Sequence, residues 1–167
     1  FTHVLPKPLI PIDGKPVIEH IMDRFRDAGA ASFYVTVNHK ARILRAYLEN
    51  GDGARDIAFV EEEKALGTAG ALRLLAGRFN EPAIVSNCDV LVAVNYRELM
   101  DFHVASGCAI TMVASAQSYR VPYGACSIND DGTLLGIEEK PELAMLANTG
   151  LYIVNPSVFD RIPEDEV

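Results

Sequence analysis

The chain has 167 residues, the length of one ordinary domain, and its 49% hydrophobic and 23% charged content excludes disorder. Such a chain buries roughly 70% of its extended surface, so a core forms without staples. A net charge of −8 removes the electrostatic footprint for nucleic acid or anionic lipid. The longest apolar runs, such as Val90-Leu-Val-Ala-Val94, are far short of the ~20 residues that span a bilayer.

Pro16 marks a helix start at its first position. Val17, Ile18, Ile21, Met22 and Phe25 follow at helical spacing until Ala28-Gly29. Phe33-Tyr-Val-Thr-Val37 reads as a buried strand. Ala41 to Glu49 reads as a helix on Ile43, Leu44, Tyr47 and Leu48, and Asn50-Gly-Asp-Gly53 as a turn. Ile57 to Val60 is a strand, Ala69 to Leu75 a helix, and Ala83 to Ser86 a strand. Asn95, with Glu98 three residues on, starts a helix over Tyr96 to Ala105. This alternation predicts βαβ units, a mostly parallel sheet and helices on both faces. Beyond it, Cys108 to Ser115, Tyr123 to Ile128, Leu134 to Ile137 and Leu151 to Val154 read as strands, before a helix at Pro156 to Asp160. The expectation is a three-layer α/β core that gains antiparallel strands late.

In an open α/β sheet, ligands bind at the carboxyl ends of the strands. That singles out Asn38-His39-Lys40, Glu61 to Ala69, Asn87-Cys88-Asp89 and Glu138-Glu139-Lys140. Leu66-Gly67-Thr68-Ala69-Gly70 opens a helix after an acidic strand end, where backbone N–H groups meet a polar ligand, or where two glycines merely make a loop. Asp89, just past a strand, suits one carboxylate of a Mg²⁺ site, or a cap. Glu139-Lys140-Pro141 by itself reads as a solvated edge with a proline stop. His103 reads as a packing or capping residue, since no Cys or His partner supports a metal, and His20 and His39 read the same way. Cys88, Cys108 and Cys126 are odd in number and unclustered, which fits a reducing cytoplasm better than a disulfide framework or zinc knuckle. Cys88 has no neighbouring base to activate it.

Taken together, Leu5-Pro-Lys7-Pro-Leu-Ile-Pro-Ile-Asp-Gly-Lys-Pro16, Glu61 to Ala71, Asn87-Cys-Asp89, Val121-Pro-Tyr-Gly124, Ile137-Glu-Glu-Lys-Pro141 and Asn148-Thr-Gly-Leu-Tyr152 come in an order that resembles the sugar-nucleotide pyrophosphorylases, the sugar-1-phosphate nucleotidylyltransferases. The nearest likeness is to the mannose-1-phosphate guanylyltransferase-like branch, some of whose members carry fused regulatory CBS domains. The resemblance implies a Rossmann-like, GT-A-like nucleotidyltransferase fold and transfer of a nucleotidyl group from a nucleoside triphosphate to a sugar 1-phosphate, with release of pyrophosphate and Mg²⁺ as cofactor. It implies that Lys7 holds the triphosphate, that Asp89 binds the metal, and that Glu62, Gly67 and Thr68 meet the nucleotide. Gly124, Glu139 and Asn148 fall at the sugar, and Lys140 at its phosphate.

Departures from the family pattern shape the expectation. The family's glycine-rich loop would lie just before Phe1 and its second metal-binding aspartate beyond Val167. Residues 1–167 then form a single but incomplete nucleotidyltransferase-like domain, folded and inactive alone, from the middle of a longer protein. Cys88 stands where the family usually has Gly, so a thiol there is expected to crowd the sugar or to tighten selectivity. Glu61, Glu62 and Glu63 stand where thymidylyl and many uridylyl branches carry Gln. A carboxylate accepts from guanine N1–H and N2–H₂, so the acidic run leans towards GTP. The partners implied are a nucleoside triphosphate and a sugar 1-phosphate such as mannose 1-phosphate, with neither nucleic acid nor membrane, and with self-association and fused regulatory domains compatible. The competing readings are a non-catalytic nucleotide-sugar-binding regulatory domain of the same fold, a uridylyl- or thymidylyltransferase, and a glycosyltransferase. The last usually places Asp-x-Asp at its metal, where this chain has Asn87-Cys88-Asp89.

Overall fold

The structure is a computed structural model that describes residues 5–38, 41–51, 54–62, 64 and 66–163, without the side chains of Asn38 and Thr68. His39, Lys40, Glu63 and the second half of the turn at 50–53 therefore lie outside it. The chain divides into two compact units, one of Phe1–Met112 with Gly150–Val167 and one of Val113–Thr149.

The first unit opens with a 3-10 turn at Lys7–Leu9 and a short hairpin, β1 (Pro11–Ile12) with β2 (Lys15–Pro16). Asp13 and Gly14 both have positive φ, 51° and 81°, as the two central positions of this tight turn demand. Pro16 is the cap before α1 (Val17–Ala28), not its first residue. The five apolar positions read from the sequence are its buried face. Gly29, at φ 108°, closes the helix, and the Ala30 N–H reaches back to the Phe25 carbonyl.

β3 (Phe33–Asn38) and β4 (Ile57–Glu62) pair in parallel, Phe33 opposite Ile57 through Asn38 opposite Glu62. The crossover helix α2 (Arg42–Glu49) buries Leu44 and Leu48 among Leu9, Ile18, Met22 and Val37, while Ile43 and Tyr47 stay exposed. After α3 (Gly67–Gly70) and a 3-10 turn at Ala71–Leu75 comes β5 (Ala83–Ser86), then α4 (Tyr96–Ser106). The Asn95 side chain accepts from the Arg97 and Glu98 N–H groups and donates to the Glu98 carboxylate, so the capping signal was genuine. Arg97 caps the other helix, donating to the Asp27 and Ala28 carbonyls at the end of α1, and Tyr96 stacks edge-on against Phe25 at 4.9 Å.

β6 (Ile110–Arg120) and β9 (Glu142–Val154) each run through both units, and β9 lies between β5 and β6. β5 meets β9 antiparallel, Ala83 opposite Val154 through Ser86 opposite Leu151. A second apolar cluster of Val60, Leu75, Val154 and Phe159 seals this end, with α5 (Pro156–Phe159) contributing Phe159. β9 starts nine residues before the Leu151 expected from the sequence, because Asn148-Thr149-Gly150 continues as strand although Gly150 has φ 75°. β3 differs from its reading too: Val37 is buried, but Phe33 to Thr36 are only half-buried. The reason is a cleft of about 1160 Å³ lined by β3, β5 and the apolar face of α1, which leaves both strands partly uncovered.

In the second unit, β7 (Ala125–Ile128) and β8 (Leu134–Glu138) form an antiparallel hairpin with a register shift at Ser127/Ile128. Its turn is held by Asn129 and Asp131 side chains, both accepting from the Thr133 N–H. The hydrogen bond to Thr133 also keeps the Asp131 carboxyl below its ordinary range. Thr149 Oγ1 donates to the Val113 carbonyl, joining β9 to β6 here. Among the described residues no helix is long and apolar enough to cross a membrane.

His103 on α4 is 1% exposed, with Nδ1 2.7 Å from Thr111 Oγ1 and Nε2 3.1 Å from Asn155 Oδ1. It is the satisfied core histidine the sequence suggested. His103→Leu strands both partners without a donor or acceptor, at a cost of about 1–3 kcal/mol. Urea unfolding of the full-length variant checks this. An unchanged midpoint would mean that the two bonds contribute nothing.

Candidate functional site

Asp89 follows β5 by three residues and stands with Asn87 and Cys88 at one end of the large cleft. The loop that carries it is tied down at both ends. At its start the Asn87 N–H donates to the Gly150 carbonyl at 3.1 Å. Further along, the Val92 carbonyl accepts from Arg24 Nη1 and Tyr96 Oη, each at 3.0 Å, and Asn95 then caps α4. Lys7, projecting from a turn anchored by buried Pro8 and Leu9, brings Nζ to 4.0 Å from Asp89 Oδ2. The two residues assigned to triphosphate and metal thus meet. Their side chains are 69% and 39% exposed, and an ion pair so open to water contributes little to stability. Each group is free energetically to exchange the other for a ligand.

Cys88 sits beside this pair. The protein around it and the Asp89 carboxylate raise the thiol above its ordinary range, opposite to what a nucleophile needs. Asp89 is one hard oxygen donor open to solvent. Among the described residues no three His, Cys, Asp or Glu groups cluster as a metal cage. Such a donor fits Mg²⁺, which keeps much of its water and is completed by substrate phosphates, and does not fit zinc.

The parallel register of β3 and β4 brings Asn38 opposite Glu62 at the same edge. The two described glutamates there have different partners. Glu61 Oε1 pairs with Arg45 Nη2 of α2 at 2.6 Å, an ion pair that α2's reading had not anticipated. Glu62 Oε2 accepts from the Leu66 N–H at 3.2 Å and so caps the turn into Gly67, which has φ 73° and opens α3. Thr68 follows on α3.

In the second unit, Gly124 precedes β7 and packs on the end of β8: a Cβ there would come 3.0 Å from Ile137 Cγ2 and 3.2 Å from Glu139 Oε2. Lys140 adopts φ 50°, uncommon for a residue with a side chain, and its Nζ lies 4.0 Å from Glu139 Oε1. The Val121 N–H donates to the Pro141 carbonyl at 2.9 Å, which holds the two segments together. Asn148 is exposed on β9. Three of the four residues expected at the sugar, Gly124, Glu139 and Lys140, are therefore neighbours.

A sequence profile of the nucleotidyl transferase family matches residues 1–166. Mannose-1-phosphate guanyltransferase of Candida albicans is 35% identical over 96% of this chain and 47% of its own length. UTP–glucose-1-phosphate uridylyltransferase of Synechocystis is 31% identical over 99% of this chain and 47% of its own. The chain thus spans about half the length of the curated relatives it matches. The crystal structure of HddC from Yersinia pseudotuberculosis has the same fold, at a TM-score of 0.72 and 23% identity over 98% of this chain and 73% of that one. The same fold is seen in HddC complexed with GMP-PN. By the profile match and these identities, the chain belongs to the nucleotidyl transferase family.

Proposed function

We propose that residues 1–167 supply much of the active site of a sugar-1-phosphate nucleotidylyltransferase that makes a nucleotide-sugar, from GTP and mannose 1-phosphate or a related sugar. The observation that carries this reading is the approach of Lys7 to Asp89, a residue that lines the cleft, at 4.0 Å. Family membership and the names of the relatives support it. A non-bridging oxygen of the sugar phosphate attacks the α-phosphorus in line, a new P–O bond forms, and the bond to the bridging oxygen breaks to release pyrophosphate. No covalent enzyme intermediate is required, so positioning and charge neutralisation carry the rate.

Lys7 exchanges Asp89 for the triphosphate. Asp89 would hold a Mg²⁺ ion, which would supply neutralisation of phosphate charge. Lys140 takes the sugar phosphate, Glu139 and Asn148 accept from or donate to sugar hydroxyls, and Gly124 leaves room for them. Glu62 spends one oxygen on the Leu66 N–H and offers the other to the guanine N1–H and N2–H₂, while Gly67 and Thr68 line the nucleotide. The glycine-rich loop and second carboxylate that complete such a site belong, on this reading, outside residues 1–167. Three exposed free thiols suit the cytoplasm. The name of the Synechocystis relative keeps a uridylyltransferase as the second reading.

In the full-length protein, Asp89→Ala is expected to abolish turnover with little change in melting temperature, because the carboxylate is exposed. Near-normal pyrophosphate release by that variant would sink the assignment. Lys140→Met is expected to raise KM for the sugar 1-phosphate at least tenfold, a loss of ~1.4 kcal/mol, and to leave KM for the nucleotide nearly alone. Equal effects on both substrates would return Lys140 to a solvated edge. Initial rates with GTP, UTP, dTTP and CTP separate the two readings of the base. A preference for UTP or dTTP would overturn the role given to Glu62 and leave the rest standing.

A further inference from the structure

Gly150 lies in the middle of a strand, yet it has φ 75°, and it is buried directly beside the loop that carries Asp89. Its carbonyl accepts the Asn87 N–H at 3.1 Å. A Cβ built on Gly150 would come 2.5 Å from Asn87 Nδ2, so the end of that side chain would have to turn away, and 3.0 Å from Asn87 Cγ, tighter than ordinary contact. Its distance to Asn87 Cβ, 3.6 Å, is ordinary contact. Two separate constraints therefore disfavour a side chain here: the backbone conformation, and the displacement of the Asn87 side chain that it would force. Asn87 is two residues from Asp89, and its backbone N–H is where β9 grips the loop ahead of the carboxylate.

We infer that Gly150 is a positioning residue for Asp89: its bare Cα leaves the Asn87 side chain uncrowded, so that the backbone bond from the Asn87 N–H to the Gly150 carbonyl fixes the start of the loop that carries Asp89. The inference rests on the reading of Asp89 given above for its effect on turnover, but not for its effect on the loop. Misplacing a site group by an ångström costs about a hundredfold in rate. Gly150→Ala in the full-length protein is expected to lower kcat by about 10- to 100-fold and to raise the Mg²⁺ concentration for half-maximal rate, with KM for the sugar 1-phosphate little changed.

Gly150→Asn separates the two constraints, since Asn tolerates the left-handed region but carries the same Cβ. It is expected to be as impaired as Gly150→Ala, and recovery by Asn would show that backbone strain alone was the cause. Adding Asn87→Ala to Gly150→Ala removes the crowding atoms and is expected to restore much of the rate. If Gly150→Ala alone does not fold, a folded and active double variant still supports the inference, and a double variant that also fails overturns it. A shift in KM for the sugar 1-phosphate without a shift in Mg²⁺ dependence would mean that Gly150 acts on Asn148 instead.

Cys88 gives a readout free of catalysis. Its iodoacetamide alkylation, followed by peptide mass spectrometry with exposed Cys108 and Cys126 as internal references, is expected to change rate in Gly150→Ala and to return in the double variant. An unchanged Cys88 rate would overturn the inference. If Cys88 responds but Asp89→Ala keeps full activity, the loop is positioned as stated and the metal reading is the one that fails.

Discussion

Ser86 faces Leu151 across the antiparallel ladder of β5 and β9, and one residue further the Asn87 N–H donates to the Gly150 carbonyl. Those few bonds join the middle of the sequence to its C-terminal part. They close a long loop, whose entropic cost rises only slowly with length, and the apolar cluster of Val60, Leu75, Val154 and Phe159 meets that cost. Where the ladder ends, the strand must stop and the loop with Asp89 must begin. The position of the carboxylate is thus inherited from a pairing register. A slip of one residue would turn each side chain of β5 to the other face and carry Asp89 with it.

Charge acts more locally. In a chain with net charge −8, three described cations among the candidate residues and their neighbours lie beside an acid: Lys7 beside Asp89, Arg45 beside Glu61, Lys140 beside Glu139. At these exposures the pairs are weak. Their physical value is that they keep a lysine close to where an anionic ligand would arrive without binding it tightly, so that a phosphate bearing more charge than a carboxylate wins the exchange.

Local patterns made much of this legible. The face of α1 could be read from 3.6-residue spacing, its end from Gly29, and the start of α4 from Asn95 and Glu98, since each rests on contacts within one or two turns. The site residues came instead from the order of motifs, and the meeting of Lys7 with Asp89 or of Gly124 with Glu139 is a tertiary fact that no spacing states. The misses have physical causes. The β1–β2 hairpin was passed over although Asp13-Gly14 is a strong turn signal, because two-residue strands show no periodicity. The early part of β9 was passed over because Asn148-Thr-Gly150 reads as a strand breaker, and only packing against Asn87 shows why a glycine belongs there. The half-covered state of β3 depends on the cleft beside it, a property of three elements at once.

That cleft also bears on how the protein behaves in solution. Among the described residues β3 pairs only with β4, and β5 only with β9, so each strand has a side whose backbone donors and acceptors face the cleft. Unsatisfied strand edges flanked by apolar side chains are adhesive, and any extended segment of suitable length can add to them. Residues 1–167 handled by themselves are therefore a substrate for strand addition between molecules. Self-association through these edges would rise with concentration despite the repulsion of a net charge of −8.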